Sequence, residues 1–92
     1  MLFTFSKPVK FEDGPEIKEL NIDLDGLNGY DIDAVKKEFS KAGNYSPILA
    51  TDTTFCIMLA ARRSGKPIEF FNELPGKDYL AIAQEVQNFL LG

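Results

Sequence analysis

The sequence contains no histidine and a single cysteine. Without imidazole there is no histidine base or proton shuttle, and no zinc site built on histidine. Cys56 has no partner for an internal disulfide and lies in an apolar run, which fits a reduced, intracellular setting. Excess positive charge is missing too: 10 basic groups stand against 14 acidic ones, for a net charge of -4. Nucleic acids and anionic membranes are bound through basic faces, so neither is the expected partner. The longest apolar run, Phe55 to Ala61, falls far short of the roughly 20 residues of a membrane span. Met1 to Lys7 lacks a basic region followed by a continuous apolar core, so no signal peptide is expected. Repeats, low-complexity stretches and long linkers are absent as well. What remains is 92 residues with 45% apolar content, enough for one small folded domain.

The first segment alternates. Phe3, Phe5, Val9 and Phe11 share one parity, and Thr4, Ser6 and Lys10 the other. A period of two with aromatics on one face predicts a half-buried strand. Pro8 cannot donate to a ladder and marks an edge or a bulge. Glu12-Asp13-Gly14-Pro15 is a turn. Leu20, Ile22 and Leu24 then alternate with acidic and amide residues, which predicts a second strand and a hairpin over residues 2–25. A lone hairpin is marginal in water, so helices are needed to cover it.

Helical signals fill the rest. Asn28 or Gly29 caps a helix over 28–42, with Ile32, Val35, Phe39 and Ala42 on one face and Gly43 as its stop. A second helix over 51–64 is apolar all round from 55 to 61 and is expected to be central. A short helical segment spans 68–74. A last helix spans 76–91 with Tyr79, Ile82, Ala83, Val86, Phe89 and Leu90 as its stripe. The expected fold is α+β: an N-terminal antiparallel hairpin on three main helices and one short one. Phe3, Phe5, Leu20, Ile22, Phe39, Phe55, Leu59, Ile82, Val86 and Phe89 are the expected core.

Few residues assemble into chemistry. Asn21, Asp23, Asp25 and Gly26 match the opening of a calcium loop, but Ile32 stands where a bidentate Glu is required. They are expected to be the wet face of the second strand. Ser64-Gly65-Lys66 follows a helix, whereas a phosphate loop precedes one, and it lacks the leading glycine. Arg62 and Arg63 sit where cations complement a helix dipole. Cys56 has no base to activate it. No catalytic, cofactor or metal residues are therefore assigned, and no enzyme is expected. The positive feature is a surplus of apolar residues. Ile57, Ile68, Phe70, Phe71, Leu80 and Leu91 exceed what the core requires and are the expected partner-binding surface.

The order of these features resembles the small tail assembly chaperones of long-tailed bacteriophages. Phe3 to Phe11, Asp13-Gly14 and the following strand carry the first part of the likeness. The helix start Leu27-Asn28-Gly29-Tyr30-Asp31-Ile32 carries the second, with Asn28 where the family usually has Thr. Ser64-Gly65-Lys66-Pro67, an apolar-acidic segment ending at Leu74, Lys77-Asp78-Tyr79 and Asn88-Phe89-Leu90 carry the third. Tyr45 to Thr54 has no counterpart in the family pattern. The resemblance implies a non-enzymatic factor that binds the tape measure protein, keeps it soluble and helps recruit tail tube subunits. It implies action in the cytoplasm of the bacterial host and absence from the mature virion. The oligomeric state is left open, a homo-oligomer included. The alternative expectation is a small phage-encoded regulatory or adaptor domain that binds a folded protein partner. A long helical reading frame just downstream would separate the two.

Overall fold

Alternation at the N-terminus forms β1, Leu2–Lys10, which pairs antiparallel with β2, Glu16–Asn21. The computed structural model describes residues 1–92. The register runs Leu2 to Asn21, Phe3 to Leu20 and Thr4 to Glu19, then resumes at Val9 to Ile17 after an irregularity. Pro8 lies inside that break, where a missing N–H costs no ladder bond. The turn between the strands is tight: Gly14 N–H donates to Phe11 C=O at 3.0 Å, and Glu12 takes a positive φ of 53°. β2 begins earlier and ends sooner than the alternation predicts. Ile22 still exchanges two hydrogen bonds of 2.7 Å with Met1. Asp23 N–H instead donates to Arg63 C=O at 3.2 Å, which draws the chain away from the sheet. Ile22 and Leu24 are buried all the same.

Helix α1, Gly29–Lys41, opens with a capping box in which Asn28 and Asp31 each hold the other's backbone N–H. Gly43, at φ 86°, closes it: Gly43 N–H donates to Ser40 C=O and Asn44 N–H to Phe39 C=O. A 3₁₀ turn, Leu49–Thr51, precedes α2, Thr53–Ser64. Asp52 ends that turn and caps α2 through Phe55 N–H at 2.9 Å, which explains why α2 starts later than 51. Gly65 terminates α2 in the left-handed region at φ 76°. A short helix α3, Ile68–Asn72, and the long α4, Gly76–Leu91, complete the chain. The fold is α+β, a two-stranded hairpin followed by helices.

Helix α2 is the centre of the core. Phe55, Cys56, Ile57, Leu59 and Ala60 are buried on it, and α1, α3 and α4 all pack against it. Of the expected core, Phe5, Leu20, Ile22, Phe39, Phe55, Leu59, Ile82 and Val86 are buried, and Phe3 is partly so. Phe89 departs from that expectation. It lies on the stripe of α4 but reaches only a shallow recess beside Met1 and Leu24, and stays 45% exposed.

Candidate docking surface

Half of the expected partner-binding set is interior. Ile57 and Phe71 are fully buried and Phe70 nearly so. Ile57 lies on the packed side of α2, and for Phe70 and Phe71 the reason is an aromatic network that ties α3 to the hairpin. Phe70 meets Phe5 at 6.1 Å, Phe11 at 5.8 Å and Phe71 at 5.3 Å, all edge to face, and Phe3 meets Phe5 at 5.6 Å. Such pairs stabilise beyond their area alone. Lys66 places its ammonium over the outer face of Phe70. These aromatics therefore anchor the short helix and are not free to anchor a partner. Leu80 and Leu91 are exposed, and Ile68 is partly buried. Leu80 and Leu91 lie opposite the buried stripe of α4, three turns apart and separated by Gln84 and Gln87, so they do not form one patch. Leu2, Tyr30, Tyr45 and Ile48 are exposed as well.

The surface does contain an open groove of about 640 Å³ along α2. Thr54, Met58 and Ala61, at spacings of four and three, form one face of that helix. Glu38 and Ala42 border the groove from α1, and Ile68, Glu69 and Asn72 border it from α3. Tyr79 of α4 and Arg62 complete the lining together with Asn44, Lys66 and Pro67. Helix α2 is central as expected, yet this one face stays open, because α1 and α3 pack on either side of it. The sequence signals only the ends of this face, where Thr54, Ala61 and Arg62 are small or polar; Met58 is as apolar as its buried neighbours.

The charges around α2 are mostly committed. Arg62 binds Asp31 at 2.6 Å. Arg63 binds Asp31 at 3.3 Å, the Asp23 carboxylate at 2.7 Å and the Asp23 carbonyl at 2.8 Å. The paired arginines thus do more than complement a dipole: they join α2 to α1 and to the chain leaving β2. Gly26 is confined by this cluster, since a Cβ there would strike the Arg63 guanidinium and the Asp23 carboxylate. The Arg62 hydrogen bond, then that of Asn28, holds the Asp31 carboxyl below its usual range. Asp78, also buried, accepts from Ser6 N–H and from the Ser6 hydroxyl at 2.9 Å, fixing α4 to β1. Sequence reasoning missed both carboxylates, because each binds a partner far away in the chain. By contrast, Glu38 and Glu69 on the groove rim make no ion pair.

Asp23, Asp25 and their neighbours do not gather as ligands, and no group of three His, Cys, Asp or Glu converges anywhere. Burial, helped by nearby Asp52, pushes the Cys56 thiol up to about 11, and its Sγ lies 3.5 Å from Ala50 C=O. No helix is long and apolar enough to cross a membrane. Comparison with protein-family models, with curated proteins and with solved structures finds no match to this chain.

Proposed function

We propose that the protein is a phage tail assembly chaperone that binds the tape measure protein, holds it soluble and helps recruit tail tube subunits, without catalysing a reaction. The order of motifs along the chain supports this reading, and one structural observation carries it: an open groove on the central helix, floored by Met58 and Ala61 and bordered by Ile68. A groove of this shape suits an apolar stripe on a helix of another chain. The net charge of -4 suits a protein that must keep an apolar partner in solution. In this reading it acts in the cytoplasm of the bacterial host and is absent from the finished virion. Affinity capture tests it. The tagged chain, co-expressed with the tape measure protein of the same phage, is expected to retain it in a stoichiometric complex. Retention of a folded regulatory protein in its place would favour an adaptor role.

A further inference from the structure

The groove has a charge pattern as well as a shape. Its floor is apolar and small, with Met58 and Ala61 partly exposed and Ile68 at one side. Of the cations at its edge, Arg62 is paired with Asp31, while Lys66 keeps its charge above the ring of Phe70. Arg62 and Arg63 with Asp31 and Asp23 make a neutral quartet. Glu38 on the α1 side and Glu69 on the α3 side make no ion pair, so the unpaired rim charges are two carboxylates against the one ammonium of Lys66. An apolar floor between two carboxylates selects by charge sign as well as by apolarity.

We infer that the groove takes one amphipathic helix of a partner chain, with its apolar stripe on Met58 and Ala61 and with Lys or Arg on both flanks to meet Glu38 and Glu69. Thr54 to Ala61 spans ~10 Å along α2, so about two turns of the incoming helix are read. This deepens the chaperone reading by naming the chemistry of the segment bound, and it rests on that reading only for the partner's identity. The same geometry disfavours a helix whose apolar stripe is flanked by Asp or Glu, since like charges at a partly desolvated rim repel.

Two synthetic amphipathic helices of about 16 residues serve as probes, long enough to hold helical structure. They share one leucine stripe, flanked by Lys in one and by Glu in the other. The full-length protein is expected to bind the Lys-flanked peptide about tenfold more tightly at low salt. Backbone amide shifts are expected to centre on Thr54, Met58, Ala61 and Ile68. The double variant Glu38→Lys, Glu69→Lys is expected to reverse the preference while keeping the wild-type circular dichroism. Should that variant fold poorly, the wild type at about 1 M salt gives the same information, because the preference is expected to collapse there. Equal binding of the two peptides, a preference that survives both reversal and salt, or shifts centred on Leu80 and Leu91 would each overturn the inference. A wild-type protein that keeps the peptide preference but fails to retain the tape measure protein would overturn the chaperone reading alone.

Discussion

Asp31 shows how much one residue can carry. Its carboxylate caps α1 through Asn28 N–H at 3.1 Å and accepts both arginines of α2. Because these partners favour the ionised form, the folded-state pKa lies below the ordinary value, with the Arg62 hydrogen bond the largest cause. The stabilisation is complete above the ordinary aspartate range and is lost as pH falls through the lower, folded value. Asp31→Asn is therefore expected to flatten the loss of thermal stability between about pH 5 and pH 2, followed by circular dichroism. An acid profile as steep as the wild type's would contradict this assignment. Cys56 gives a second expectation. With the thiol raised to about 11, it holds roughly a hundredfold less thiolate at pH 8 than an unperturbed cysteine does. A thiol reagent is expected to label the folded protein at least that much more slowly than the urea-unfolded chain. Equal rates would place Cys56 at the surface.

Among the elements, α3 is the one whose role changes most between sequence and structure. Five residues cannot hold a helix by themselves, so Phe70 and Phe71 must hold it by packing. Phe71→Ala is expected to cost about 3–5 kcal/mol in denaturant unfolding, and Phe71→Asp to prevent folding. Leu80→Glu and Leu91→Glu are expected to stay within about 0.5 kcal/mol of wild type. A stable, monomeric Phe71→Asp variant would restore that residue to the surface. The elements themselves were legible in the sequence because capping and stop residues such as Asn28, Gly43 and Gly65 act locally. Where the chain leaves the sheet was not: Asp23 N–H finds Arg63 C=O across 40 residues, which no local periodicity encodes. The apolar surplus was legible as a quantity, but its placement was not. Phe70 and Phe71 look dispensable until the hairpin aromatics Phe5 and Phe11 pack on Phe70, and Phe70 on Phe71. The groove follows the same logic, since its floor is α2 but its borders come from α1 and α3.

For the whole molecule, α1, α3, α4 and the 3₁₀ turn close most of the surface of α2, while the arginine–aspartate quartet locks α1 to its C-terminal end. One face of α2 is left open between two free carboxylates. A small acidic domain with an open apolar groove is suited to holding a helical chain in solution without reacting with it. The most direct test is the soluble fraction of the tape measure protein expressed with and without this chain. Co-expression is expected to move the tape measure protein from the pellet to the supernatant, and the two are then expected to co-elute on gel filtration. A tape measure protein that stays in the pellet while this chain is abundant, folded and eluting alone would contradict the chaperone reading.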